Sequence, residues 1–137
     1  MRRNEPVSKI MTASPATAHH GMPLSEVRGR MAELGCHHLP VVSGSKLLGM
    51  VTSTDVLRVS YDYGQPVAHA NAVLDNTRTL EDIMQSDLTT VTSHTTIREA
   101  AEVLAKNAFH ALPVVDNEQL VGIVTTTDLL RYLLEQY

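Results

Sequence analysis

The sequence predicts an α+β fold, sandwich-like, built from two β-α-β-β-α units. Three observations predict it. First, the chain repeats itself: residues 38–58 align with 111–131 at an offset of 73 positions, and the same offset carries Ile10-Met11 onto Ile83-Met84, Glu26 onto Glu99 and His37 onto His110 without a gap. Of the 49 positions from Ile10 to Arg58, 18 are identical in the second copy. A repeat of this length is a duplicated structural unit. Second, each copy alternates 3.6-period apolar stripes with short β-branched runs, the signals of helix and strand. Third, 137 residues suit one ordinary domain. Half of that would bury too little surface to be stable alone, so the two copies are expected to share a core as one folding unit. Duplication also sets two related surfaces face to face, and a cleft between them is a natural place for a ligand.

The elements follow in the same order in each copy. Repeat 1 is read as 5–62, a linker as 63–79 and repeat 2 as 80–137. A short apolar turn comes first, Val7 to Met11 and Leu80 to Met84. A polar extended stretch then ends near Thr17-Ala18 and Thr90-Val91. The first helix carries Leu24, Val27, Met31 and Leu34 on one face; its counterpart carries Ile97, Ala100, Ala101, Leu104 and Ala108. Pro23 suits the first helical turn, and Thr95-Thr96 with Glu99 gives the second copy an N-terminal signature. Leu39 to Val42 and Leu112 to Val115 are strands, and Ser43 to Lys46 and Asp116 to Gln119 are turns. Leu47 to Thr52 and Leu120 to Thr125 are apolar return strands, expected to be buried. A last helix begins at Thr52 and at Thr125. Val59 to Thr79, which includes Tyr61, Tyr63, Gly64 and Pro66, shows no sustained period and reads as a connector.

Composition excludes several functions. One Phe, four Tyr and no Trp leave no aromatic platform for single-stranded nucleic acid. A net charge of −4 opposes a broad phosphate-backbone surface, so no nucleic-acid partner is expected. Cys36 is the sole cysteine. It excludes an intrachain disulfide, fits a reducing compartment and reads as a small buried apolar residue. No apolar h-region follows Met1-Arg2-Arg3, and no apolar run reaches the ~18 residues of a membrane span. A soluble, cytoplasmic protein with no membrane partner is expected. Adjacent histidines on a strand point to opposite faces, so His19-His20 and His37-His38 are poor chelates and no metal is expected. Imidazole as a group titrates near neutrality, which makes His37 and His110 a physical route to a pH response. No Ser-His-Asp order, P-loop or G-x-G-x-x-G is present. Asp55 and Asp128 sit in symmetric copies, whereas a catalytic carboxylate pair needs divergent environments. The chain is therefore not expected to be an enzyme or to require a cofactor.

The sharpest local signal is G-h-h-T-x-x-D, where h is apolar. It occurs at Gly49 to Asp55 and again at Gly122 to Asp128. One reading is a helix cap: the Thr hydroxyl accepts the third helical N–H, and the acid favours the first turn. The other is a binding cup. A helix N-terminus offers unpaired N–H groups and partial positive charge, and a carboxylate at its rim can accept both hydroxyls of a ribose. The two readings are compatible.

The ordered pattern I-M, h-P-V-V, G-h-h-T-x-x-D-h-h-R, present twice over about residues 5–135, resembles a tandem pair of CBS domains, the unit called a Bateman module. The resemblance implies a pseudo-twofold module with two clefts between the repeats, pairing of modules into a homodimer, and regulation of an unknown partner protein. It also implies an adenosine-type ligand, with AMP, ADP, ATP, S-adenosylmethionine and NAD as candidates. By the same resemblance Asp55 and Asp128 hold the ribose diol, assisted by Thr52 and Thr125. One cleft would join Thr125 and Asp128 to Thr12, Thr17, His37, His38 and Leu39 beside Pro40. The other would join Thr52 and Asp55 to Gln85, Thr90, His110, Ala111 and Leu112 beside Pro113. The first keeps more polar partners and is expected to be the stronger. Phosphate-binding relatives often place Arg before P-V-V and a basic residue before the acid. Here His38, Ala111, Thr54 and Thr127 stand there, which favours a mono- or diphosphate or a less charged adenosyl ligand over a triphosphate. The alternative is a dimerisation or scaffold module with vestigial clefts.

Overall fold

The computed structural model describes residues 4–62, 78–107 and 110–137, with backbone alone at 59–62. Ala108, Phe109, Tyr63 and the linker residues 63–77 lie outside the described residues, as do the side chains of Tyr61 and Asp62. The chain divides into two compact units, one of 1–15 with 89–137 and the other of 16–88. These are cut differently from the repeats, because each unit takes its leading segment from the other repeat.

In the unit of 16–88, β2 (Ala18–His19) runs parallel to β3 (His38–Ser43). β3 pairs antiparallel with β4 (Lys46–Thr52), and Met50 bridges Gln85 on the far edge. In the other unit Val91 bridges Val114 of β5 (Ala111–Asp116) in parallel. β5 pairs antiparallel with β6 (Gln119–Thr125), which pairs with β1 (Thr12–Ala13) on the far edge. The strand pairings within the two units thus repeat one plan. In repeat 2 the extended segment before the helix is reduced to single bridges at Gln85 and Val91. Both hairpins shift register at the same place, between Val41 and Val42 and between Val114 and Val115. Their turns differ in backbone geometry. Gly44 alone takes positive φ (63°) in the first, while Asn117 (50°) and Glu118 (67°) both do in the second, as a type I′ turn requires.

Helices α1 (Leu24–Leu34), α2 (Ser53–Asp62) and α3 (Leu80–Ile83) belong to the first unit described. α4 (Ile97–Lys106) and α5 (Thr126–Glu135) belong to the second, with a 3-10 turn at Val7–Lys9. Pro23 is the N-cap of α1 rather than its first helical residue, and Thr96 caps α4 by accepting from the Glu99 N–H. α1 buries Leu24, Val27 and Met31, but Leu34 is 54% exposed, because the stripe drifts off the core face before Gly35 ends the helix in the left-handed region. α2 continues through 59–62, so the connector begins later than the loss of sequence period suggests.

Among the described residues two apolar clusters form, one in each unit. One joins Ala18, Leu24, Val27, Leu39, Val41 and Val51 to Leu80. The other joins Ile97, Ala100, Leu104, Leu112, Val114 and Val124 to Val7. Val7 and Leu80, the first apolar residues of the repeats, are each fully buried in the cluster built mainly by the other repeat. Ile83 and Met84 follow Leu80 onto the first cluster, and Ile10 and Met11 follow Val7 onto the second, so each cluster is completed by the leading segment of the other repeat.

Glycine makes the exchange possible. A Cβ on Gly122 would stand 2.5 Å from Met11 Sδ and 3.0 Å from the Thr12 carbonyl oxygen. A Cβ on Gly49 would stand 2.7 Å from Met84 Sδ and 2.8 Å from the Gln85 carbonyl oxygen. The repeated Ile-Met and the repeated Gly are therefore one feature: the methionine seats the incoming segment over a residue with no side chain.

Candidate functional site

Each return strand ends in a threonine that opens a helix. Thr52 Oγ1 accepts the Asp55 N–H at 3.2 Å, and Asp55 Oδ2 accepts the Thr52 N–H at 3.0 Å. Thr125 and Asp128 do the same at 3.2 and 2.8 Å. Both motifs are complete reciprocal capping boxes. Each is worth about 1 kcal/mol to its helix.

The first helical N–H is taken as well. Ser53 N–H donates to the His37 carbonyl at 3.0 Å, and Thr126 N–H donates to the His110 carbonyl at 2.9 Å. A helix leaves four N–H groups without intrahelical partners. Here three of the four, on the cap and on the first and third helical residues, are engaged within the chain. The remaining donor of each cup is the amide of Thr54 or Thr127, whose side chains are exposed. The cups are narrower anion sites than the sequence suggests.

The rims differ. Asp128 Oδ1 lies 3.9 Å from Arg131 Nη1, with Asp128 12% and Arg131 69% exposed. Among the described residues no ion pair joins Arg58 to Asp55. His38 faces Thr52 across the hairpin where Ala111 faces Thr125. His37 Nδ1 lies 3.4 Å from Ser53 Oγ, and Thr126 Oγ1 donates to the His110 carbonyl at 3.3 Å.

The remaining site candidates fall as follows. Thr12 lies on β1 opposite Ile123, two residues before Thr125, in the same unit as Thr127 and Asp128. Gln85 bridges Met50, two residues before Thr52, in the unit of Thr54 and Asp55. Residues from different repeats thus meet within one unit. Thr17, His37, His38, Leu39 and Pro40 belong to the unit of 16–88; Thr90, His110, Leu112 and Pro113 belong to the other. Within the latter, Thr90 adjoins Val91 at one sheet edge and Thr12 forms the opposite edge, so these two are not neighbours there. The Thr17 carbonyl accepts from Arg30 Nη1 at 2.6 Å. Leu39, Pro40, Leu112 and Pro113 are buried, so their side chains are core and only their backbone can meet a ligand. His37 and His110 are exposed. The carbonyls of His37 and His110 are contributions that sequence reading missed, while Arg131, one helical turn past its acid in sequence, does reach Asp128. The carbonyls have no signature in residue type.

A cavity of about 300 Å³ lies between α1 and α2, against Met31, Cys36, His37, Ser53 and Leu57, and Asp55 is not among its walls. Partial burial pushes the Cys36 thiol above its ordinary value, keeping it protonated. Among the described residues no group of three or more His, Cys, Asp or Glu could hold a metal ion. Nor, among them, is any helix long and apolar enough to cross a membrane.

The sequence profile of the CBS domain matches residues 7–62 and again 80–135. The chain belongs to the CBS-domain family. It carries a tandem pair of CBS domains in an α+β fold. It is 33% identical over 135 residues to the uncharacterised protein MJ1225 of Methanocaldococcus jannaschii, covering 94% of this chain and 47% of that one. The crystal structure of MJ1225 matches with a TM-score of 0.80 at 30% identity, over 97% of this chain and 49% of that one. The CBS domain pair of protein MJ0100, solved in complex with 5-methylthioadenosine and S-adenosyl-L-methionine, matches with a TM-score of 0.78 at 28% identity, over 93% of this chain and 98% of that one. Homoserine O-acetyltransferase of Methanohalobium evestigatum is 33% identical over 133 residues, 96% of this chain but 24% of the enzyme. The chain thus spans about half of MJ1225 and about a quarter of that enzyme.

Proposed function

We propose that this tandem CBS pair is a non-catalytic regulatory module that binds an adenosine-containing nucleotide, AMP- or ADP-like, at its two Thr-x-x-Asp cups. In this reading it senses energy state or a metabolite for a partner protein in the cytoplasm. The observation that carries the reading is the junction of repeats inside each unit. A capping carboxylate held rigid by its own box stands in the same unit as a sheet-edge residue of the other repeat, the strand residue Thr12 for Asp128 and the bridging Gln85 for Asp55. A ligand gripping both would report on how the repeats are joined. Such a ligand shifts the shape only by its differential affinity for two arrangements. The adenosyl ligands of the MJ0100 pair support the ligand class. One remaining amide per cup supports a small anionic load over a triphosphate. Leu57 and its repeat counterpart Leu130 stand 52% and 57% exposed, with Leu134 at 76%; pairing of two copies as a homodimer would cover such apolar surface.

One observation favours a second reading, a dimerisation or scaffold module: each acid already commits one carboxylate oxygen to its helix cap. Calorimetry and thermal shift against AMP, ADP, ATP, NAD and S-adenosylmethionine separate the two. Ligand at 100 times its dissociation constant is expected to stabilise the fold by about 2.7 kcal/mol. No response across the panel at millimolar concentration would leave the scaffold reading standing.

A further inference from the structure

We propose that Arg131 sets the charge preference of the Asp128 cup, favouring phosphorylated adenosyl ligands over neutral ones. The inference rests on the binding reading above and goes beyond it. Asp128 has two carboxylate oxygens. Oδ2 accepts the Thr125 N–H at 2.8 Å and cannot turn away without opening the cap. Oδ1 is the oxygen left for a ribose diol, and it lies 3.9 Å from Arg131 Nη1. A neutral nucleoside must therefore share or displace the guanidinium, and returns no charge in exchange. A nucleotide brings its own negative charge to the same helix end. The displaced Arg131, 69% exposed on a flexible stem, then gains a phosphate to pair with. The same residue opposes one ligand class and assists the other.

The second cup supplies the internal control. Arg58 occupies the matching position, three residues after Asp55, but among the described residues no ion pair joins them. The Asp55 cup is left open to a neutral diol. The repeat is symmetric in sequence here and asymmetric in charge pairing, so the two cups sort adenosyl ligands by phosphate.

The test is calorimetry on the full chain at low salt with adenosine and with AMP. An Asp55→Ala background isolates the Asp128 cup, and an Asp128→Ala background isolates the other. In the first background, Arg131→Gln is expected to tighten adenosine and weaken AMP, each by about 2- to 5-fold, the range of an exposed ion pair. The AMP-over-adenosine preference would then fall by about an order of magnitude. Arg131→Lys keeps the charge and is expected to keep most of the preference. In the second background, Arg58→Gln is expected to leave the preference unchanged. If adenosine and AMP affinities move in the same direction in Arg131→Gln, the selectivity role is overturned while the binding reading stands. If the unmutated chain binds neither ligand, the binding reading fails and this inference falls with it.

Discussion

The two cups share a skeleton and differ at the rim. Their capping boxes agree to within 0.2 Å between equivalent hydrogen bonds, 3.2 Å in both and 3.0 against 2.8 Å. Both fill the first helical N–H with a histidine carbonyl from the preceding segment. What varies is the side chain across the hairpin, His38 or Ala111, and whether the following arginine reaches the acid. The lesson is a division of labour. Backbone hydrogen bonding fixes where each carboxylate stands, and that must repeat if both helices are to start. Side chains that contribute little to the fold are free to diverge.

The largest effect expected from breaking this comparison comes from the acids. Asp128→Ala removes a charged acceptor from the first cup and is expected to weaken adenosyl binding there by about 10- to 100-fold. Stability is expected to fall by only about 1 kcal/mol, the worth of the cap. Asp55→Ala does the same at the other cup. Calorimetry and urea denaturation on both variants read the two quantities separately. Unchanged affinity with the stability loss intact would reduce the motif to a cap.

Next comes the exchange of leading segments. Gly49→Ala and Gly122→Ala force a Cβ against methionine sulfur, which can move, and against a backbone carbonyl, which cannot move without opening the strand edge. Overpacking of this kind costs about 1–3 kcal/mol. The carbonyl stands nearer at Gly49, at 2.8 Å against 3.0 Å, so Gly49→Ala is expected to cost more. Denaturation of the two variants side by side measures the difference. Equal stability to the unmutated chain in both would mean the segments are not seated by these glycines.

Much of this was legible in sequence because the governing rules are local. Thr-x-x-Asp, Thr96 with Glu99 and the hairpin turns act within a few residues, and the offset of 73 doubled every signal. The exchange was not legible. Val7 and Leu80 carry the same apolar signature whichever cluster they enter, and only long-range pairing decides it. Leu34 misled for a related reason: periodicity shows that a face is apolar, not how far along the helix the core extends. The narrowing of the cups was hidden because a backbone carbonyl belongs to every residue, and nothing in the letter His110 shows that its oxygen occupies the Thr126 N–H.

The smallest expected effect compares one hydrogen-bonded carboxylate in each unit, Asp82 exposed and Asp116 half-buried. Asp82 caps α3 by accepting the Thr79 N–H at 2.9 Å, and Asp116 accepts the Ser93 N–H at 3.0 Å and hydroxyl at 2.6 Å. Accepting these bonds stabilises the charged form. It holds Asp82 below the usual carboxylate range through Thr79, and Asp116 through Ser93. A carboxylate whose folded value is depressed adds stability that is present above its unfolded value, about 3.9. That stability is lost as pH falls through the folded value. Both units should therefore weaken in acid, each through a different bond: a helix cap in one, and a tie from the hairpin turn to the segment after Val91 in the other. Asp116→Asn is expected to flatten the acid limb of the stability curve below about pH 4 and leave the neutral plateau slightly lower. Asp82→Asn should do the same, and the double variant should add the two, since the groups lie in separate units. Thermal melts across the acid range check this. An acid limb that stays as steep in the double variant would place the titrating carboxylates elsewhere.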